Sequence, residues 1–284
     1  MIKNVGVIGA GQMGNGIAHV FALHNYFVVL YDVSQAQLEK ALMIIRENLQ
    51  RQLKKGTIQQ NQIDSTLKNI KTTTELDAVV DVDFCIEASP EDETLKLNLF
   101  SKLDSIVKKE SILASNTSSI SITKLAKNTT RSERIVGMHF FNPVPVMDLV
   151  EIVKGMTTSE ETCNIVFNLA KNIGKVPVLT KDYPGFIVNR ILVPMINDAI
   201  FAYYEGIASA EDIDKAMKLG TNQPMGPLTL ADFVGLDTLL SVLNVFYENF
   251  KDSKYRPCPL LVKMVEAGYL GRKSGKGFYD YNNK

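Results

Sequence analysis

Residues Val5 to Asp32 constrain this chain more than any other stretch. A short apolar run, Val5 to Ile8, leads directly into Gly9-Ala10-Gly11-Gln12-Met13-Gly14, and a helical pattern follows through Leu23. Tyr26 to Tyr31 then reads as a second buried strand and ends at Asp32, eighteen residues beyond Gly14. Strand, glycine turn, helix, strand and acid, in that order, make a dinucleotide-binding βαβ unit. The spacing follows from the chemistry. Glycines let the backbone approach a pyrophosphate, the helix N-terminus offers unpaired N–H groups, and an acid at the end of the second strand accepts hydrogen bonds from a ribose diol. Asp32 would repel a 2′-phosphate, so NAD is expected over NADP. A helix N-cap is its other role, which Ser34 fills equally well.

The alternation continues. Val82 to Ala88 and Ser111 to Ser115 read as buried strands around a helix from Asp92 to Val107, the pattern of a parallel sheet. Between the second and third of these strands the apolar positions Leu38, Leu42, Ile45, Leu49 and Leu53 recur at helical spacing up to Gly56. Gln59 to Leu67 follows, so a helical hairpin is expected over about 34–69. Arg51, Lys54 and Lys55 gather where cations suit the helix dipole, and they also form a small basic patch. Ligands of parallel sheets lie at the carboxyl ends of the strands. Those ends carry 88–91, 115–119 and 139–142, three polar turns that converge on the dinucleotide. Ser121 suits the cap of the next helix, which leaves Ser118 for other work.

One His and one Glu lie on the two β-like runs of Ile135 to Val153. If the chain reverses near Pro145 and the runs pair antiparallel, His139 and Glu151 face each other, being equally far from that residue. A carboxylate orients an imidazole and favours its protonated form, which is the build of a general base near neutral pH. A structural histidine in a core is the more frequent case for such a residue, and the spacing alone does not choose between the two.

A helix over about 159–173 and a strand over 175–180 complete the alternation. Lys181-Asp182-Tyr183-Pro184-Gly185 breaks it, and everything beyond reads helical. The expected fold is therefore α/β, with a Rossmann-type dinucleotide-binding domain over 1–183 and a smaller all-helical domain over 184–284. Phe186 to Tyr204 forms a long helix with Pro194 as a kink, Ser209 and Asp212 cap the next, and Pro227 to Phe250 and Leu260 to Ala267 continue the domain. The tail Gly271 to Gly277 reads as a flexible basic loop before Phe278 to Tyr281, or as a solvated turn pinned by those aromatics. Lys plus Arg (31) equals Asp plus Glu (31), so no global field draws nucleic acid or an anionic membrane. No apolar run approaches the roughly 20 residues of a membrane helix. Met1-Ile2-Lys3-Asn4 leads straight into a strand, so no signal or transit peptide is expected. Cys85, Cys163 and Cys258 share no metal or redox spacing and read as packing residues of a cytoplasmic protein.

Several stretches together resemble the short-chain L-3-hydroxyacyl-CoA dehydrogenases, above all the bacterial 3-hydroxybutyryl-CoA dehydrogenases. They are VIGAGQMGNGIA, ILASNTSSISIT, GMHFFNPVPVMDLVEIV, PGFIVNRILVPMINDA, ASAEDIDKAMKLG, PMGPLTLADFVGLD and GRKSGKGFYDY, which occur in order along essentially the whole chain. HFFNP and the Asn-Arg helix are far more specific than the glycine fingerprint. The resemblance implies a catalytic pair on His139 and Glu151, with Ser118 and Asn189 as hydrogen-bonding substrate contacts. It implies NAD contacts at Gly9, Gly11, Gln12, Met13, Gly14, Asp32, Glu91, Lys96, Asn116, Ser118, Asn142 and Lys273. CoA contacts fall on Asn48 and Lys55, although Asn48 stands where some relatives carry Ser. No metal is implied. Dimerisation, or a higher homo-oligomer, is implied through the helical domain.

The activity implied is the NAD(H)-dependent interconversion of (S)-3-hydroxybutyryl-CoA and acetoacetyl-CoA, a step of fatty acid or butanoate metabolism. A related dehydrogenase of a sugar acid or other 3-hydroxy acid without CoA is the rival among enzymes, since fold does not fix substrate. A dinucleotide-binding regulator without turnover is the rival outside them. The helical hairpin with its cations separates the first, and the intact set Ser118, His139, Glu151 and Asn189 argues against the second.

Overall fold

The protein is described over residues 2–282 by a computed structural model. It divides into two compact units, Met1–Tyr183 and Pro184–Lys284. The first unit is built on an eight-stranded sheet of β1 (Asn4–Ile8), β2 (Phe27–Tyr31), β3 (Ile70–Thr73), β4 (Phe84–Glu87), β5 (Ile112–Ser115), β6 (Ile135–Phe140), β7 (Leu149–Lys154) and β8 (Val176–Lys181). Their spatial order is β3-β2-β1-β4-β5-β6-β7-β8. Every neighbouring pair is parallel except β6 with β7. Buried on both faces, the central strands are near-continuous apolar runs, as parallel sheets require.

Helices α1 (Gln12–Leu23), α2 (Gln35–Lys54), α3 (Gln60–Lys68), α4 (Glu93–Ile106), α5 (Ile122–Lys127) and α6 (Glu160–Asn172) cover the sheet or extend from it. In α2 the buried residues are Leu38, Ala41, Ile45 and Leu49, one stripe at three- and four-residue spacing. The Ser34 hydroxyl accepts the Gln37 N–H at its start, and Gly56, with φ 71°, follows its end. That stripe belongs to the core of the unit, where Ile45 is wholly buried; Ile45→Ala would cost about 2–5 kcal/mol.

The sequence reading misses β3. Ile70-Lys71-Thr72-Thr73 has one apolar residue, yet it adds to β2 at the sheet edge, where one face needs no core partner. Three strands, β2, β4 and β5, are shorter by one to three residues than their apolar runs suggest; Val82 to Ala88, for example, is regular only over Phe84–Glu87.

The second unit is helical: α7 (Val188–Tyr204), α8 (Ala210–Gly220), α9 (Pro227–Val234), α10 (Leu236–Phe250) and α11 (Pro259–Glu266) enclose their own apolar core. The helical stretch from Pro227 to Phe250 is two helices, bent by 96° at Gly235, whose φ of 102° no other residue type adopts readily. The loop Gly271 to Gly277 holds a helical turn over Arg272–Ser274 and a bridge between Gly271 and Lys276. Just beyond it, Asp232, almost wholly buried, accepts the N–H groups of Phe278 and Tyr279 and the Tyr281 hydroxyl, so the turn is pinned to α9 through its aromatic neighbours. No single helix among the described residues is long and apolar enough to cross a membrane.

Candidate active site

The glycine turn and β2 form one wall of a cavity of about 690 Å³ lined by Gly9, Gly11, Gln12, Met13, Asp32 and the β4 turn residues Ala88 to Pro90, among others. Gly14 lies beneath that loop, and a Cβ there would sit 1.7 Å from the Gly9 carbonyl oxygen. A Cβ on Gly11 would meet nothing within 4 Å, so the turn leaves open space above the N-terminus of α1. Gly11 caps that helix without a side-chain hydrogen bond, and its first turn holds no acid. A pyrophosphate fits such a cradle on steric and electrostatic grounds. Asp32 is fixed from behind: Oδ2 accepts the Ala10 N–H at 2.8 Å, Oδ1 accepts the Ser34 N–H at 3.0 Å, and Gln37 donates to the Ala10 carbonyl at 2.9 Å. The acid is thus oriented by the loop it borders.

At the ends of β4 and β5 the polar turns are tied together. Glu91 Oε1 accepts the Ser118 and Ser119 N–H groups at 3.0 and 3.1 Å, the Ser119 hydroxyl at 2.9 Å, and the Thr117 hydroxyl. Burial alone would raise the Glu91 carboxyl, but the Lys96 charge and these hydrogen bonds outweigh it and hold the group below its ordinary value. Lys96 is 1% exposed, and its ammonium lies 2.5 Å from Glu87 and 3.4 Å from Glu91. Asn116 Oδ1 accepts the Phe140 N–H at 2.9 Å and so joins the β5 turn to β6. Ser118 is half-buried, and among the described residues its hydroxyl carries no hydrogen bond. Asn142 is exposed in the turn that follows β6.

His139 and Glu151 are direct partners in the β6–β7 ladder, the register that equal spacing about Pro145 predicts. The Nδ1 atom of His139 is 2.7 Å from Glu151 Oε2, with the ring 6% exposed and Glu151 fully buried. Phe141 packs on the ring at 4.6 Å between centroids. Antiparallel pairing is what makes this contact local, since a parallel neighbour would need a crossover between the two residues.

The remaining expected residues belong to other elements. Asn48 is half-buried on α2, with the Arg51 guanidinium 3.4 Å from its Oδ1, and Lys55 is exposed just beyond that helix. In the second unit, Asn189 is half-buried in the first turn of α7, and Lys273 pairs with Asp237 at 2.5 Å. Sequence reasoning misses two groups. Glu87 closes the apolar run of β4, where a buried acid is costly and therefore a signal. Asp182, after β8, accepts the Ser121 hydroxyl and the Ile122 and Thr123 N–H groups at the start of α5.

A dinucleotide fold with a His-Glu pair at its strand ends defines an NAD-binding unit equipped for acid–base chemistry. Residues 4–183 match the family described as 3-hydroxyacyl-CoA dehydrogenase, NAD binding domain, and 185–281 match its C-terminal domain. The chain belongs to the 3-hydroxyacyl-CoA dehydrogenase family. It is 53% identical over 281 residues to a 3-hydroxybutyryl-CoA dehydrogenase of Bradyrhizobium diazoefficiens, covering 99% of this chain and 96% of that one. A probable 3-hydroxybutyryl-CoA dehydrogenase of Bacillus subtilis is 50% identical over 283 residues, covering 100% and 99%. The crystal structure of (S)-3-hydroxybutyryl-CoA dehydrogenase from Ralstonia eutropha superposes with a TM-score of 0.97 at 50% identity and full coverage of both chains.

Proposed function

We propose that the protein interconverts (S)-3-hydroxybutyryl-CoA and acetoacetyl-CoA, with His139 as acid–base catalyst. The observation that carries this reading is the buried His139–Glu151 pair in a chain about half identical, end to end, to enzymes of that name. The glycine turn holds the pyrophosphate and Asp32 the adenosine ribose; NAD, when bound, accepts or returns the hydride.

In the oxidative direction, neutral His139 removes the 3-hydroxyl proton through Nε2, because Nδ1 is engaged with Glu151. In the reverse direction the imidazolium returns a proton to the developing alkoxide. Glu151 fixes the tautomer and stabilises the cationic ring, and the Ser118 hydroxyl and Asn189 amide hold the reacting oxygen. Asn142, Asn116, Glu91, Lys96 and Lys273 belong to the cofactor side of this reading. CoA is assigned to Asn48 and Lys55 on the hairpin. Exposed apolar residues of the second unit, Ile191, Ile207, Leu219 and Phe233, support a homodimer formed through it, and the three buried thiols suit a cytoplasmic setting.

Loss of NADH absorbance with acetoacetyl-CoA, compared with free acetoacetate, tests the substrate class. Turnover at least about 10²-fold more efficient with the thioester is expected if the adenosine portion supplies binding energy. Equal or faster reduction of the free acid would overturn the CoA reading in favour of a 3-hydroxy acid dehydrogenase.

A further inference from the structure

Helix α7 has a strained entry and an early break. Gly185 (φ 79°) and Phe186 (φ 51°) are consecutive left-handed residues, and a residue with a side chain stays in that region only where its surroundings fix it. The turn they open carries Asn189 as the second residue of the helix and Arg190 as the third, whose N–H reaches back to the Gly185 carbonyl at 3.0 Å. Pro194 then interrupts the ladder: lacking an N–H, it cannot close the bond to the Arg190 carbonyl four residues back. The turn with Asn189 therefore lies between a strained entry and a missing rung, and helical hydrogen bonding alone holds it weakly.

Side chains of the same unit supply what the backbone lacks. Phe246, Phe250 and Tyr255 touch one another, with ring centroids 5.0 to 6.1 Å apart. The Arg190 guanidinium lies 4.5 Å from the centroids of both Phe250 and Tyr255, and a Cβ on Gly185 would sit 2.3 Å from Phe246 Cζ. One aromatic cluster thus grips the turn on both sides of Asn189, at Gly185 and at Arg190. Phe246 and Tyr255 belong to the buried core of the unit, so the cluster is a fixed support. Among the described residues no carboxylate pairs with Arg190, and the rings alone set where its guanidinium sits. A planar guanidinium stacks on ring faces as a lysine ammonium does not.

We propose that Arg190 is a positioning residue for the reaction: stacked on Phe250 and Tyr255, it fixes the first turn of α7, and with it the Asn189 amide that holds the reacting oxygen, without itself touching substrate. The proposal rests on the reading of Asn189 as a substrate contact. Stability alone is the weaker account, because a guanidinium can cover a ring from any surface position. Arg256 does so, exposed and 5.2 Å from the ring of Phe201, beyond the Pro194 break in α7. Arg190 instead stacks on two rings, is half-buried, and sits one residue from Asn189 on the near side of that break.

The test uses the full-length protein with Arg190→Met, Arg190→Lys, Asn189→Ala, the double variant Asn189→Ala/Arg190→Met, and Arg256→Met. Turnover of acetoacetyl-CoA gives kcat and KM, fluorescence titration gives NADH affinity, and thermal melts report folding. Arg190→Met is expected to lower kcat about tenfold or more, since a slight misplacement of a reacting group costs up to about 10²-fold, with NADH affinity intact. Arg190→Lys keeps the charge but loses the planar stack, so its kcat should fall between wild type and Arg190→Met. It takes the place of Arg190→Met in every comparison if that variant does not fold. Arg256→Met should lower Tm only, with kcat unchanged. The double variant is the decisive one. If Arg190 acts through Asn189, adding Arg190→Met to Asn189→Ala lowers kcat by less than about twofold further, whereas independent roles multiply the two losses. Multiplied losses, or a normal kcat in Arg190→Met, would overturn the positioning role. Asn189→Ala with wild-type kcat and KM would instead remove the substrate contact itself, and the proposal with it.

Discussion

Glu87 and Glu151 are two acids in one sheet, each wholly buried and each in contact with a nitrogen base, at 2.5 Å and 2.7 Å. Their partners make them different devices. A lysine ammonium keeps its proton near neutral pH and offers only donors, so the Glu87 pair locks geometry. An imidazole exchanges its proton in that range and has a second nitrogen, so the Glu151 pair can pass a proton on. Burial of a carboxylate thus says little about its work until the base beside it is known.

Glu151→Gln should break the comparison most sharply. The amide keeps size and some hydrogen bonding but removes the charge that favours imidazolium, and a drop in kcat of about 10² to 10⁴ is expected, with little change in KM. Turnover of wild type and variant, with melts to confirm folding, checks both. A near-normal kcat would make Glu151 as static as Glu87.

His19 supplies the complementary case, a buried histidine whose partner is an amide. Burial pushes it down to about 4, and the Gln52 contact at 3.0 Å opposes this only in part. Its folded form therefore stays neutral where the unfolded chain, near 6.5, takes up a proton. The stability this neutrality contributes is full above about pH 6.5 and is lost as pH falls toward 4, by at most about 3 kcal/mol. Melts of wild type between pH 7 and 4.5 should show that loss, and His19→Gln should flatten it. An equal slope in both proteins would remove His19 as its source.

Asp32 sharpens the comparison at its exposed end, since its contacts are backbone N–H groups and not a base. Asp32→Ala should weaken NADH and narrow its advantage over NADPH, about tenfold in the ratio of efficiencies, because the repulsion of a 2′-phosphate goes with the charge. An unchanged ratio would move cofactor choice elsewhere.

What the sequence makes legible here is what local spacing encodes. The glycine turn, β2 and Asp32 lie within one βαβ unit, and the facing of His139 and Glu151 follows from symmetry about a single turn. Edge strand β3 is illegible because Lys71, Thr72 and Thr73 carry no apolar signal; its hydrogen bonds to β2 make it a strand. The bend at Gly235 is hidden for the opposite reason, since apolar helical residues flank it on both sides. Glu87 is partly legible as an acid closing an apolar run. Its link to the Thr117–Ser119 turn is not, because Lys96 and Ser115 reach it from different elements.

The reversal between β6 and β7 also governs how this segment can change in length. His139 and Glu151 share one ladder rung, and neighbouring residues of a strand point to opposite faces of the sheet. One residue inserted between them, unless the exposed turn absorbs it, slips the register and sends one partner to the wrong face. Substitutions within the turn leave the rung intact, so this stretch of chain is free to vary in composition far more than in count.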